Sequence, residues 1–258
     1  MSEPHDTFHV FFICTGNRFR SVLAEHRLRQ ATAGLPVRVS SLGTLDEPGI
    51  PALADAIELG AGAGLDLAEH RSRPLRGEDL HAADLVVGFE RNHVAAAVVE
   101  AGAPREKTFG AYELVELLAR IESPGDLSVP ERARNAVARA NAARREGKRP
   151  FRELSDPVGR GRPFAADTAA QVGDQVARIA FGLFGAGPAA AAAPTTPSAA
   201  GHLLFVWAPA GWRLEQRDGE PPAVGDIVEV EGATLIVTAV GPSPLPGDRR
   251  RCGYTQPR

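Results

Sequence analysis

Cys14-Thr15-Gly16-Asn17-Arg18-Phe19-Arg20-Ser21 decides how the rest of this chain reads. Before it, Phe8 to Ile13 is a short, largely apolar run with the aromatic and β-branched residues of a buried strand. After it, Val22, Leu23, Leu28 and Ala31 share a helical face between Ser21 and Ala33, and Gly34 is a stop signal. A strand that passes through a tight loop into a helix leaves main-chain N–H groups without partners. Those groups and the positive helix end converge on one small anion site. Cys14 opens the loop, and amides and a guanidinium around it favour the thiolate, the nucleophilic form. Arg20 closes the loop with a planar fork of donors that matches two phosphate oxygens at once. Nucleophile, amide cradle and fixed cation around one tetrahedral anion are the parts of a phosphoryl-transfer site.

Cys-Thr-Gly-Asn-x-x-Arg-Ser behind an N-terminal strand resembles the signature of the low-molecular-weight protein tyrosine phosphatases. A bare Cys-x5-Arg spacing arises by accident in many chains, and the simplest alternative is a small buried cysteine at the end of a core strand. Gly16, Asn17 and Ser21, with the strand and helix on either side, make the match specific. The resemblance covers about residues 1–185 and implies a four-stranded parallel sheet in a flavodoxin-like, three-layer α/β fold.

At 258 residues the chain has room for one large domain or two smaller ones. With 43% apolar and 24% charged residues it has a globular composition; a formal net charge of −3 argues neither for nucleic acid nor for an anionic membrane, and neither is expected as a partner. The only cysteines, Cys14 and Cys252, are too far apart in sequence for a disulfide framework or a cysteine-rich metal site. Met1 to Thr7 contains no Lys or Arg, and the apolar run behind it is too short for a signal peptide or a membrane span. A reducing cytoplasm is the expected location, as a working thiolate requires.

Along the chain, strands at Val37–Ser40, Ala83–Gly88 and Lys107–Gly110 alternate with helical stretches. These helices are expected from Ala56 to Gly64, Arg91 to Ala101, Tyr112 to Ile121 and Ala165 to Phe184. The alternation argues a parallel sheet with helices on both faces, whose ligands sit beyond the C-terminal ends of the strands, where Cys14 falls. Pro130 to Gly147, rich in Ala, Arg and Asn, reads as an exposed helix inserted before the next functional loop. Residues 186–200 form an Ala/Pro-rich tract that reads as a linker. Residues 201–258 change pattern: short strands separated by Pro/Gly turns suggest a small all-β, barrel-like module. Protein interaction or dimerisation is its expected role. Trp207, Trp212 and Tyr254 fit its core better than a binding face, and Arg249 to Arg251 reads as a solvated basic run.

The resemblance also implies roles outside the loop. Asp156, in Ser155-Asp156-Pro157-Val158-Gly159, stands where the family carries a general acid, though Asp-Pro alone is also a common turn. Such an acid protonates the leaving oxygen as the P–O bond breaks and then activates water against the phosphocysteine. Asn17 is implied to hold the loop through Ser41 and His70, and Ser21 to donate to the sulfur. The loop amides and Arg20 take the part that metals play in other phosphoryl transfers, so neither a metal nor another cofactor is expected. The implied activity is hydrolysis of a phosphorylated protein or a small phosphomonoester. A non-catalytic phosphate-binding module is the alternative. An arsenate reductase needs two further cysteines, and only remote Cys252 is at hand.

Two departures from the family pattern bear on chemistry. A hydrophobic residue and a second cysteine commonly precede the loop arginine; here Arg18 and Phe19 stand there. Arg18 puts a second cation at the pocket mouth, which suits acidic substrates and repels phosphoarginine. The aromatic residues that commonly wall the pocket are missing: Val158 follows the Asp-Pro pair, and residues 45–50 hold no Trp or Tyr. Without a neighbouring cysteine, Cys14 has no disulfide to retreat into. Mild peroxide treatment is therefore expected to destroy the activity irreversibly; full recovery with dithiothreitol would overturn this.

Overall fold

In the computed structural model, the described residues are 7–121, 127–145, 150–185, 201–208, 211–230, 233–242 and 250–257. The tract read as a linker, 186–200, lies outside them, as do Arg249 and the side chains of Trp207 and Trp212. The chain divides into two compact units, Met1–Ala191 and Ala192–Arg258.

The first unit is built on four parallel strands in the order β2-β1-β3-β4. They are β1 (Phe8–Cys14), β2 (Val37–Gly43), β3 (Leu85–Gly88) and β4 (Thr108–Gly110). Central β1 pairs Val10 with Val39 on one side and with Leu85 on the other. Because side chains alternate along a strand, β1 feeds both faces of the sheet. Phe8, Val10 and Phe12 enter the larger core, whereas Ile13 joins Leu42, Val86 and Ala97 in the smaller one. Both faces of the sheet are thus buried, as a parallel sheet requires.

Helices α1 (Arg20–Ala31), α2 (Ala54–Ala61), α3 (Arg91–Glu100), α4 (Ala111–Leu118), α5 (Val129–Arg145) and α6 (Arg162–Phe184) complete the unit. The buried stripe Val172, Val176, Ile179 and Leu183 of α6 lies in the larger core with Val22 and Leu28 of α1. Among the described residues, no helix is long and apolar enough to cross a membrane.

The sequence reading of α5 as an exposed helix needs correction. Ala133, Ala136, Val137 and Ala140 are buried in the larger core. Small side chains hide this face from a hydrophobicity pattern, because alanine contributes little apolar area per residue. Two arginines also tie the helix down. Arg134 pairs with Asp84 at 2.8 Å, and Arg144 donates to the Thr108 carbonyl at 2.8 Å while lying over the Phe109 ring.

The second unit is a five-stranded sheet in the order β6-β5-β9-β8-β7. Its strands are β5 (His202–Ala208), β6 (Gly211–Arg217), β7 (Ile227–Val230), β8 (Ala233–Pro242) and β9 (Arg251–Pro257). The sequence reading missed β9, a stretch of Arg, Gly and Gln with only scattered apolar residues. It runs parallel to β5 and antiparallel to β8, in the middle of the sheet. Tyr254 is half-buried rather than central to the core, whereas Leu204, Val206, Val230 and Leu235 form a small core cluster.

Burial of α5 makes a direct prediction. Val137→Asp should lower the unfolding free energy by about 3 kcal/mol or more, because it strands a carboxylate in the core. Ala138→Asp, on the exposed face of the same helix, should stay within about 0.5 kcal/mol in denaturant unfolding.

Candidate active site

The loop between β1 and α1 is held from outside by its carbonyls. The carbonyl of Cys14 accepts from Thr44 N at 3.0 Å, that of Thr15 from Leu45 N at 2.9 Å, and that of Arg18 from Leu53 N at 2.9 Å. Peptide planes whose carbonyls face outward turn their N–H groups the other way, toward the Cys14 side of the turn. Gly43, at the end of β2, presses on this backbone. A Cβ there would lie 2.9 Å from Asn17 N and 2.9 Å from Thr15 O, so only glycine fits.

Asn17 is the hub of the loop. It is the only non-glycine residue with positive φ (51°) among the described residues, in a region that asparagine tolerates better than most. Four hydrogen bonds fix it there. Its Nδ2 donates to Ser21 Oγ at 3.0 Å and to Ser41 Oγ at 2.7 Å, and its Oδ1 accepts from Arg73 N at 2.8 Å. The fourth is made by the main chain: His70 Nε2 donates at 2.8 Å to the carbonyl of Asn17. Burial lowers the His70 pKa, the bond to Asn17 opposing it.

Ser21 Oγ lies 3.0 Å from Cys14 Sγ. Because Asn17 Nδ2 donates to that oxygen, the Ser21 hydroxyl hydrogen is free to point at sulfur. Ser41 in turn donates to buried Glu25. Cys14, Asn17, Ser21, Ser41 and His70 therefore form one connected network.

Arg20 is buried beneath the loop with its side chain 1% exposed. Its Nη1 donates to Glu90 Oε1 at 2.6 Å and to the Leu154 carbonyl at 2.6 Å. Its Nη2 donates to Thr15 Oγ1 at 3.0 Å and to Asp156 Oδ2 at 2.6 Å. Its Nε is buried without a partner. The guanidinium thus has an anchored Nη1 end, and the edge formed by Nε and Nη2 suits a bidentate oxyanion. Asp156 reaches this position because Leu154 N bonds to the Phe89 carbonyl at 2.9 Å, pinning the acidic loop to the end of β3.

Glu90 and His93 were not anticipated from the sequence. They open α3 and lie beyond the C-terminal end of β3, the same sheet edge as Cys14. His93 is fully buried; its Nδ1 accepts from Glu90 N at 3.0 Å and its Nε2 lies 3.0 Å from Thr15 Oγ1. Burial, helped by the Arg20 cation and partly opposed by Asp156, pushes its pKa down to about 3. The available signal was positional, since polar residues just past a strand end in a parallel sheet face the ligand edge.

Arg18 also differs from expectation. Arg18 does not stand free at the mouth: its Nε donates to the Pro51 carbonyl at 2.9 Å. Leu45 and Val158, next to the loop and the acid, are 46% and 63% exposed aliphatic residues. Among the described residues, no three His, Cys, Asp or Glu side chains are grouped to hold a metal ion.

A family model described as low molecular weight phosphotyrosine protein phosphatase matches residues 9–130. The low molecular weight protein-tyrosine-phosphatase Etp of Escherichia coli (strain K12) is 34% identical over 105 residues, covering 40% of this chain and 70% of that protein. This chain belongs to the low-molecular-weight protein tyrosine phosphatase family. A protein-arginine-phosphatase of Bacillus subtilis (strain 168) is 33% identical over 108 residues, 41% of this chain and 71% of that protein. Likeness to a probable phosphatase of the family, EpsP of Ralstonia solanacearum, is 38% over 90 residues, 34% of this chain but only 61% of that relative's length. The solution structure of a Bacillus subtilis family member shares the fold, with a TM-score of 0.51 at 24% identity over 68% of this chain and 97% of that one. These alignments leave the β5–β9 unit without a family.

His93 provides a pH test of the folded site. It stays neutral when folded but binds a proton near pH 6.5 when unfolded, so its stabilising contribution is complete above that value and is lost as pH falls. At pH 5 the loss is about 2 kcal/mol. His93→Gln should flatten the acid limb of a stability-versus-pH curve measured by urea unfolding.

Proposed function

We propose that this protein hydrolyses phosphomonoesters on proteins through a phosphocysteine intermediate. The observation that carries the reading is Arg20, a buried guanidinium anchored by Glu90 and Leu154 whose Nε has no partner, beside a cysteine contacted by a serine hydroxyl. A bound phosphoryl group supplies the acceptor that Nε lacks. Cys14 is the nucleophile, and its sulfur attacks phosphorus as the P–O bond on the far side breaks. Arg20 and the amides of Thr15 to Ser21 take up the charge on the equatorial oxygens. Asp156 gives its proton to the leaving oxygen, then accepts one from the water that cleaves the P–S bond. Ser21 donates to sulfur, which steadies the thiolate as attacking and as leaving group. Asn17, Ser41 and His70 keep the loop in shape. The reaction needs no metal, and a reducing cytoplasm keeps the thiol available.

The relatives are named for phosphotyrosine and for phosphoarginine. The aliphatic wall of Leu45 and Val158 offers no ring to stack on phosphotyrosine, so selectivity for the aryl group is expected to be weak. Arg18 adds positive charge on the loop, which disfavours a cationic phosphoarginine. We assign the chemistry to residues 1–185, a connecting role to 186–200, and protein interaction or dimerisation to 201–258.

Turnover of para-nitrophenyl phosphate should vanish in Cys14→Ser; turnover that persists identifies a contaminant, and absence of turnover in the parent protein favours the phosphate-binding alternative. Asp156→Asn tests the acid separately. It should lower kcat by roughly 10²–10⁴-fold. Because Asp156 competes with the anion for Arg20 Nη2, the same variant should bind inorganic phosphate more tightly than the parent in calorimetry.

A further inference from the structure

We infer that the Thr15 hydroxyl is an additional donor to the bound phosphoryl group, aimed by His93. The inference rests on the phosphate-site reading above and follows from counting hydrogens. The N–H of Glu90 can only donate, so His93 Nδ1, 3.0 Å away, must accept and carries no proton. Burial beside the Arg20 cation keeps the ring neutral, so its single proton sits on Nε2. That N–H faces Thr15 Oγ1 at 3.0 Å and donates to it. Arg20 Nη2 also donates to the same oxygen at 3.0 Å.

A hydroxyl oxygen has two lone pairs and one hydrogen. With both lone pairs met, by an imidazole on one side and a guanidinium on the other, the Thr15 hydrogen must point away from both. No acceptor for it exists among the described residues. Thr15 is the first residue after the nucleophile, and its hydroxyl shares Nη2 of the cation that receives the anion. The phosphoryl group held by Arg20 supplies an acceptor within reach. If His93 had the other tautomer, Nε2 would accept from Thr15 and the hydroxyl would have no hydrogen to give. The backbone bond from Glu90 prevents that tautomer. Thr15 therefore touches the substrate, and His93 is a positioning residue that acts through it.

A second path from His93 runs through Glu90 to Arg20, and the test must separate the two. In His93→Gln the side-chain amide can donate near the position of Nε2, whereas in His93→Asn the amide oxygen can accept near Nδ1 and nothing reaches Thr15. The expected outcome is that Thr15→Val lowers kcat/KM for para-nitrophenyl phosphate about 10- to 100-fold, as for loss of a hydrogen bond to a charged group. His93→Asn should match it, while Thr15→Ser and His93→Gln keep more than about a third of the parent value. The double variant Thr15→Val/His93→Asn should be no worse than either single one, because both remove the same contact. Additive losses, or a defect in His93→Gln larger than in His93→Asn, would overturn the inference in favour of the Glu90 path. Should the parent show no turnover, the same series is read by calorimetry with inorganic phosphate. Weaker phosphate binding by Thr15→Val then sustains the contact although the catalytic reading has failed, and unchanged binding removes it.

Discussion

The structure of the first unit depends on how one buried positive charge is shared. Removing a guanidinium from water is expensive unless its donors are matched, and four of the five donors of Arg20 are matched, by groups from four parts of the chain. Thr15 comes from the loop, Glu90 from the start of α3, Leu154 from the segment pinned to β3, and Asp156 from the turn after it. Glu90 and Asp156 divide the two ends of one guanidinium between them. In the proposed mechanism an incoming phosphoryl group takes the place of Asp156 on Nη2, and the carboxyl so released is the one proposed to exchange protons with the substrate.

The parallel sheet and the loop were legible in the sequence because both rest on local patterns, whereas the order of the strands came from the resemblance. A hydrophobic strand, a glycine-containing turn and a helical stripe occupy contiguous residues, and the alternation of such units points to a parallel sheet. The proximity of Asn17, Ser41 and His70 came from resemblance, since nothing local in Ser41 or His70 announces it. The partners of Arg20 were harder to read. Glu90 and Leu154 lie 70 and 134 residues away in sequence, and one of them contributes a main-chain carbonyl, which any residue could supply. His93 was hidden for another reason: at the start of a helix, a histidine reads as surface until its burial is seen.

Helix α5 and strand β9 show the other limit. The core face of α5 is made of Ala133, Ala136, Val137 and Ala140, so the apolar stripe is present but thin, and arginines flank it. Two of them, Arg134 and Arg144, turn out to be fastened to Asp84 and to main-chain carbonyls, which makes these two part of the packing rather than of a solvated face. In β9, buried Cys252, Gly253 and Thr255 are small, and a central strand between two neighbours gains its stability from ladder hydrogen bonds on both edges. Propensity has little say in such a place.

The central position of β9 also sets an order of events in the birth of the second unit. Among the described residues, the hairpin of β5 with β6 and the hairpin of β7 with β8 have no direct ladder between them and meet through β9. Until residues 251–257 leave the ribosome, two separate ribbons wait with open inner edges, and a two-stranded ribbon in water is marginal. Closure then needs a parallel pairing across some fifty residues, a slow kind of contact to make. The sheet is therefore assembled late and in one step, after the α/β unit upstream has had time to fold.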